Sequence, residues 1–313
     1  AEKELERAER KPPGGVDPVG NALVANVIQS ARGRRQLPDD TGLDVWLDDP
    51  ARPPVLGVAN GLLDVKAGTL TPHSSAWFST TALPVAFDPA APAPAKWLAY
   101  LADVTEGDAD KAAVLQEIAG ACLDPVTPRK FFALLVGEGE NGKSVYLTVL
   151  RAMLGADNCA AVNLSDLSAN HFAAFGLFGK LANVVGDEGY LESADEGRLK
   201  MLTGGDVVTF EQKRRDPIFA VNRAKLVVSC NTMPTFSDKS EAVWNRLVAV
   251  PFTWTVPAGK KNRDLLTAAF RGRSGELPGV LNWALAGLAR LNERRAFTRS
   301  AACEALAGQH RLD

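Results

Sequence analysis

A glycine-rich octapeptide near the middle of the chain has the residue types and the spacing of a phosphate-binding loop. It reads Gly137-Glu138-Gly139-Glu140-Asn141-Gly142-Lys143-Ser144, which fits the pattern G-x-x-x-x-G-K-[ST]. Glycines let the backbone curl so that successive N–H groups point at phosphate oxygens. Lys143 would reach the β- and γ-phosphates of a nucleotide, and the Ser144 hydroxyl would ligate Mg²⁺. We therefore predict that these eight residues bind a nucleotide and that Ser144 also binds Mg²⁺.

The sequence on either side of this loop predicts the two elements that would position it. Residues 131–136 form an apolar run, and apolar side chains recur at helical spacing from Val145 to Leu154. A helix that begins at the loop would direct its unpaired N–H groups and its partial positive charge toward an anion. The alternative is a chance match to the motif in an unrelated turn, which would need neither a strand before it nor a helix after it. The flanking sequence therefore favours a nucleotide site.

Two acidic residues end a second apolar segment, residues 180–188. In phosphate-loop ATPases the first acid, here Asp187, would hold Mg²⁺ through its water shell. The second, here Glu188, would orient and deprotonate the attacking water. Alternatively, the pair caps the segment that follows it, since acids are common at helix N-termini, and for an isolated pair that interpretation would be preferred. The position of this pair, after a buried strand that follows the phosphate loop, favours the catalytic role.

A basic cluster lies between two strand-like segments, residues 207–211 and 218–221. The tip between them, residues 212–217, carries the consecutive cations Lys213, Arg214 and Arg215. Lysine and arginine on a loop can neutralise backbone phosphates of DNA without reading its sequence. A solvated hairpin end is the alternative, and an isolated basic run would favour it.

Two further polar residues stand next to apolar strands. Asn231 follows the strand that begins at Lys225, and its amide could contact the γ-phosphate or the lytic water. Alternatively, Asn231 only begins a turn before Met233-Pro234. Arg246 precedes the apolar segment 247–252, where it could project into the ATP site of a neighbouring subunit as an arginine finger. An ordinary surface arginine is the alternative there.

These signals divide the chain into four predicted regions. Residues 1–20 are a charged tail and linker, and residues 21–125 are a small, mostly helical domain with a β-hairpin at Asn60-Gly61. Residues 126–256 are the phosphate-loop ATPase core. Residues 257–313 are a C-terminal helical lid, whose amphipathic helix has Pro278 near its start.

The composition limits the classes of partner and site. The chain has 313 residues, of which 46% are hydrophobic and 23% are charged, which is ample for a large core. The net charge is −2, so any contact with nucleic acid must come from a local patch. Four cysteines and three histidines are scattered along the chain, which predicts reduced thiols in a cytosolic protein without a zinc site. No apolar run approaches the ~20 residues of a membrane span, so we expect no membrane partner.

The order of these motifs resembles the superfamily 3 helicases, and more narrowly the poxvirus-type and phage/plasmid primase–helicase family. In that order, a Gly-Gly-Asp segment at 204–206 precedes the basic hairpin, and Trp244-Asn245-Arg246 precedes Val250-Pro251-Phe252. The resemblance covers about residues 55–295. Upstream and downstream matches add to it: Asn60-Gly61-Leu62-Leu63-Asp64-Val65, Thr71-Pro72-His73-Ser74, Leu115-Gln116-Glu117, Gly120 and the segment 277–288.

The resemblance implies an AAA+-type α/β fold, with a central parallel sheet flanked by helices, and assembly into a homo-oligomeric, hexameric ring. It also implies ATP-driven DNA unwinding in the replication of a phage, plasmid or related mobile element, in the cytoplasm of a bacterial host. Single-stranded or forked DNA and a primase domain or protein are the implied partners, although no acidic catalytic triad for priming is visible in this chain. By the same resemblance, Lys143 and Ser144 bind phosphate and metal, Asp187 binds Mg²⁺ and Glu188 is the catalytic base. Asn231 is the sensor, and Arg246 is the finger acting in trans. Lys213 with Arg214 contacts single-stranded DNA.

Two other functions remain open from the sequence. An ATP-dependent oligomeric remodeller, or a defence or regulatory switch without unwinding activity, fits the low net charge better than a helicase does. An origin-binding initiator with its DNA specificity in residues 1–125 ranks last, because no recognition helix with a clear basic face is visible there.

Overall fold

Strands and helices alternate along the described part of this computed structural model, which comprises residues 42–124, 129–188, 195–236, 241–257 and 275–312. Apart from Gly42, these residues belong to one structural unit, Leu43–Asp313. The tail and linker predicted at residues 1–20, and the helical pattern at residues 21–41, lie outside the described residues. No helix within the described ranges is long and apolar enough to cross a membrane.

Short strands precede the first described helices. Strands β1 (Val45–Trp46) and β5 (Trp77–Phe78) pair with each other, and β2 (Leu56–Val58), β3 (Gly61–Asp64) and β4 (Thr69–Thr71) form an antiparallel sheet. The predicted hairpin is therefore present, with Val58 opposite Gly61, but β4 adds a third strand that the sequence did not predict. Helices α1 (Ala95–Thr105) and α2 (Ala109–Ala121) follow, within the region predicted to be mostly helical.

A five-stranded parallel sheet forms the centre of the fold. The remaining strands are β6 (Phe132–Val136), β7 (Cys159–Ala160), β8 (Ala182–Glu188), β9 (Val207–Phe210), β10 (Ile218–Val221), β11 (Lys225–Cys230) and β12 (Leu247–Pro251). Strands β9 and β10 form a separate antiparallel hairpin, and the other five make the sheet in the order β12-β6-β11-β8-β7. The strand before the phosphate loop, β6, thus lies between β11 and β12.

Helices cover both faces of this sheet. They are α3 (Lys143–Leu154), α4 (Leu164–Ala169), α5 (Glu196–Gly204), α6 (Glu241–Trp244), α7 (Leu277–Arg294) and α8 (Ala301–Leu312), with 3₁₀ turns at Ala156–Asn158 and His171–Leu177. Alternate residues of β6 enter two different hydrophobic clusters, as the period of a strand requires. Ala133 and Leu135 pack with residues of α1, α2, α3 and α7, whereas Phe132 and Leu134 pack with α4, α5 and the hairpin. The predicted α/β fold with a parallel sheet flanked by helices is confirmed.

Helices α2 and α7 approach each other closely at glycines. A Cβ atom at Gly287 would lie 2.4 Å from the Gln116 carbonyl oxygen, and one at Gly120 would lie 2.5 Å from the Ala284 carbonyl oxygen. The buried carboxylate of Glu117 accepts a hydrogen bond from Arg290 Nε at 2.7 Å. The upstream and downstream segments that carried the sequence resemblance therefore meet in one helix–helix contact.

Candidate nucleotide-binding site

The phosphate loop connects the end of β6 to the start of α3, as predicted. Gly142 precedes the helix with φ +93°, a left-handed conformation that favours glycine. Gly137 is required for a different reason, because a Cβ atom there would lie 2.2 Å from the Phe252 carbonyl oxygen. Between them Glu138, Gly139 and Glu140 are exposed. The loop is thus fixed at both ends and open in the middle.

The Lys143 side chain is folded into the loop. Its ammonium group donates hydrogen bonds to the Gly137 carbonyl oxygen, to the Glu138 carbonyl oxygen at 3.0 Å and to Asn141 Oδ1 at 3.2 Å. Asn141 is buried and donates from Nδ2 to the Phe252 carbonyl oxygen at 3.0 Å, which ties the loop to the segment after β12. A phosphate oxygen could replace the carbonyl oxygens around the ammonium, so the residues present fit a nucleotide.

Ser144 lies in the first turn of α3 and is exposed. Its hydroxyl is an oxygen ligand of the kind that Mg²⁺ prefers. Asp187 lies in β8, one residue before Glu188, and its side chain lies outside the described residues. The Ser144 hydroxyl therefore fits a hard cation.

Glu188 lies at the same edge of the sheet as the loop. The strand register places Cys230 opposite both Val136 and Glu188, so the last residues of three adjacent strands form one row. The Glu188 carboxylate is buried, and Oε2 accepts a hydrogen bond from Leu164 N at 2.8 Å. Its Oε1 accepts from Ser165 N at 3.2 Å and from Ser165 Oγ at 3.1 Å. Glu188 therefore binds the N-terminus of α4.

Cys230 ends β11, between the strand that leads to the loop and the strand that ends at Glu188. Burial raises the pKa of the Cys230 thiol to about 11, while the Lys143 ammonium lowers that pKa and the Glu188 carboxylate raises it further. Asn231 is the next residue and is exposed at the carboxyl end of β11. Lys143, Glu188 and Asn231 therefore share the carboxyl edge of the sheet, which is where open α/β sheets bind ligands.

Arg246 does not join this group. It precedes β12, which runs parallel to β6 with Leu247 opposite Phe132, whereas the loop follows the other end of β6. Arg246 and the start of the loop are therefore six residue positions apart along the strand direction, which corresponds to about 20 Å. Arg246 Nη1 donates to the Ala242 carbonyl oxygen at 2.6 Å within its own segment. Arg246 and the loop of the same chain are thus at opposite edges of the sheet.

The basic tip is exposed. Lys213, Arg214 and Arg215 are exposed, and Arg214 has a left-handed φ of +62°. The Lys213 ammonium lies 5.8 Å from the centre of the Phe172 ring. After β10 the chain enters the sheet at the amino end of β11, the edge at which Arg246 lies.

Helix α1 contributes a contact to the loop that sequence reasoning missed. Tyr100 Oη donates to the Gly142 carbonyl oxygen at 3.0 Å, and a Cβ atom at Gly142 would lie 2.7 Å from Val104 Cγ1. The Tyr100 ring stacks on Trp97, whose backbone N–H donates to the Glu276 carboxylate at 3.2 Å, just before α7. These partners are 42 and 179 positions apart, and no local pattern in the sequence indicates such contacts.

Comparisons with known proteins give partial matches in sequence and a longer match in fold. Residues 21–106 match a family described as "D5 N terminal like", and residues 135–246 match a family of unknown function, DUF5906. The chain is 28% identical over 144 residues to the "Putative helicase L207/L206" of Acanthamoeba polyphaga mimivirus, covering 43% of this chain and 15% of that protein. It is 30% identical over 181 residues to the "Putative helicase 022R" of Frog virus 3 (isolate Goorha), covering 51% of this chain and 17% of that protein.

The solved structure of the NrS-1 C terminal region, in its A form without ligand, has a similar fold. The TM-score is 0.59 at 12% sequence identity, with 96% of this chain and 69% of that chain covered. The chain spans about a sixth of the length of the viral relatives that it matches. The sequence likeness is therefore to viral proteins named as helicases, and the fold likeness is to the NrS-1 C terminal region.

Proposed function

We propose that this chain is the ATP-hydrolysing part of a superfamily 3, AAA+-type DNA helicase, a ring-forming motor that moves along single-stranded DNA. We assign it to the replication of a phage, plasmid or related mobile element. The observation that carries the ATPase is the loop in which Lys143 is surrounded by oxygen atoms, at the same carboxyl edge of the sheet as Glu188. The helicase assignment is supported by the likeness to viral proteins of that name.

In this proposal the loop amides and Lys143 bind the phosphates of ATP. The ammonium would exchange the carbonyl oxygens of Gly137 and Glu138 for phosphate oxygens. Ser144 and Asp187 would hold Mg²⁺, which neutralises phosphate charge when bound. Glu188 would accept the proton of the attacking water, and Asn231 would contact the terminal phosphate from the end of β11.

The position of Arg246 supports an oligomer. Because Arg246 lies at the edge of the sheet opposite its own loop, we propose that it acts on the nucleotide of another subunit. Such a contact uses different surfaces on the two partners, and it closes into a ring when the rotation between subunits allows. We propose a hexamer, with Arg246 of one subunit completing the ATP site of the next.

The exposed hairpin tip is the proposed contact to DNA. Lys213 and Arg214 would hold backbone phosphates of single-stranded or forked DNA through charge, without sequence specificity. Movement of the tip after hydrolysis would then carry the strand along. A primase domain or protein is a further candidate partner, in keeping with the primase–helicase resemblance.

The test is ATP hydrolysis, mass and strand separation measured on the same preparation. We expect hydrolysis that single-stranded DNA stimulates, a ring of six with a non-hydrolysable ATP analogue, and unwinding of a forked duplex. Lys143→Ala should abolish hydrolysis, and the double change Lys213→Ala with Arg214→Ala should abolish the stimulation by DNA. Lys66→Ala removes one exposed cation from the turn after β3, and it should leave ATP hydrolysis, ring assembly and unwinding unchanged. A protein that remains monomeric with nucleotide and DNA would contradict the ring.

The net charge of −2 favours one competing function, an ATP-dependent oligomeric remodeller or switch without unwinding activity. That function predicts assembly with ATP but no stimulation by DNA and no strand separation. The measurements above distinguish the two proposals directly.

A further inference from the structure

The hairpin of β9 and β10 has one buried face and one exposed face. The cross-strand pairs Val207–Val221 and Thr209–Phe219 point to the same side, because alternate residues of a strand share a face. On the opposite side Val208 and Phe210 are completely buried, and the Phe210 ring lies 5.4 Å from that of Phe178. The hairpin is thus anchored through one face, which leaves the other face accessible.

The exposed face is strongly apolar. Phe219 is 67% exposed, Val207 is 65% exposed and Val221 is 39% exposed. Among the described residues, seven large hydrophobic side chains are exposed, and three of them lie on this face: Val207, Phe219 and Val221. Such a concentration of apolar surface is typical of a binding site, whereas single exposed apolar residues need no explanation.

The basic tip adjoins this face. Thr209, which pairs with Phe219, lies at most about 14 Å from Lys213, since four residues of extended chain span that length. Three exposed cations, Lys213, Arg214 and Arg215, therefore stand at the end of an apolar strip that contains an exposed aromatic ring. A contact with a second copy of the chain through the apolar strip alone would make no use of these cations.

We propose that this strip binds unpaired bases of single-stranded nucleic acid, with a base stacked on Phe219 while the tip holds the adjoining phosphates. Sites for single strands combine cations that follow the backbone with aromatic rings on which bases stack. The inference rests on the proposed function and extends it, because it assigns a base contact to a surface outside the basic tip. It requires an exposed ring and neighbouring cations, and the hairpin has both.

The experiment measures the affinity of a fluorescent oligothymidylate for the full chain across a series of salt concentrations. The Phe219→Ala variant loses one base–aromatic stack, so it should bind the oligonucleotide more weakly than the wild type, by on the order of 10- to 100-fold. The slope of log affinity against log salt should stay as in the wild type, because no phosphate contact is lost. Lys213→Ala with Arg214→Ala should instead reduce that slope by about 1.4, since each phosphate contact on a single strand contributes about 0.7.

Two further variants separate stacking from a general effect of surface change. Phe219→Trp keeps a ring that can stack and should retain wild-type affinity. Leu70→Ala removes an exposed apolar side chain from β4, another short strand, and should not alter binding. Thermal unfolding of each variant confirms that the fold is intact.

The possible failures are distinguishable. If the wild-type chain does not bind the oligonucleotide, the DNA-binding part of the proposed function fails and this inference fails with it. If the wild type binds and the tip variant weakens, but Phe219→Ala binds as tightly as wild type, only this inference is wrong. If Phe219→Ala lowers the mass of the assembled protein without changing DNA affinity, the strip is an interface between copies of the chain.

Discussion

The close contact between α2 and α7 makes a quantitative prediction about two glycine-to-alanine changes. Gly287 lies within α7, where an added Cβ atom would be 2.4 Å from the Gln116 carbonyl oxygen of α2. Gly308 lies within α8, where an added Cβ atom would meet nothing within 4 Å. Because the chemical change is the same and both sites are helical, Gly308→Ala is a matched control for Gly287→Ala.

The expected free energies have opposite signs. To restore ordinary contact at Gly287→Ala, the two helices must separate by about 1 Å, and overpacking of this kind costs about 1–3 kcal/mol. The same movement would stretch the 2.7 Å bond from Gln116 Nε2 to the Trp283 carbonyl oxygen and the 2.7 Å bond between Arg290 and Glu117. Each lost bond adds about 1 kcal/mol, and the higher helix propensity of alanine returns about 1 kcal/mol. We expect a net loss of about 2–4 kcal/mol for Gly287→Ala and a gain of about 0.5–1 kcal/mol for Gly308→Ala.

Urea unfolding followed by tryptophan fluorescence measures both changes. The Trp283 ring of α7 lies 5.2 Å from the Trp97 ring of α1, so the emission of Trp283 reports on the packing of α7. The midpoint should fall for Gly287→Ala and rise for Gly308→Ala, with the slope m unchanged. A Gly287→Ala protein that unfolds at the wild-type urea concentration would refute the argument that these helices have no room to separate.

Three other predictions concern the candidate site. Arg246→Ala should lower the rate of ATP hydrolysis by at least about 10³-fold while an ATP analogue still binds, as filter binding and phosphate release would show. Tyr100→Phe removes the hydroxyl that donates to Gly142, so an ATP analogue should bind about fivefold more weakly, measured by calorimetry. Glu188→Gln should abolish hydrolysis and lower the free energy of unfolding by about 1–3 kcal/mol, because its amide N–H groups would face the donors of α4.

Local features of the fold could be predicted from sequence. The apolar run of β6, the glycine pattern and the helical spacing of α3 lie within about two dozen residues, so each supports the others. The hairpin of β9 and β10 was predicted equally well, because two strand-like segments lie on either side of a polar tip. The prediction was incomplete at β4, where Thr69–Thr71 is exposed and has no periodic apolar signal.

Non-local contacts could not be predicted in the same way. β6 pairs with β11 and β12, which follow it by about a hundred residues, and the strand order depends on those pairings. The bonds from Tyr100 to Gly142 and from Asn141 to the Phe252 carbonyl oxygen also join segments distant in sequence. The sequence thus predicted which residues form the loop, but not what holds the loop in place.

Glu188 illustrates why a structural role and a catalytic role need not exclude each other. The sequence left two interpretations of this acid, a cap of the segment that follows it and a general base. The structure shows its carboxylate on the N-terminus of α4, a helix that precedes it in the chain. A carboxylate has about four lone-pair sites, of which Leu164 N, Ser165 N and Ser165 Oγ occupy three. One site on Oε2 therefore remains to accept a proton from water without release of α4. Ser165→Ala would free a second site and leave both backbone bonds, so hydrolysis should persist in that variant if Glu188 is the base.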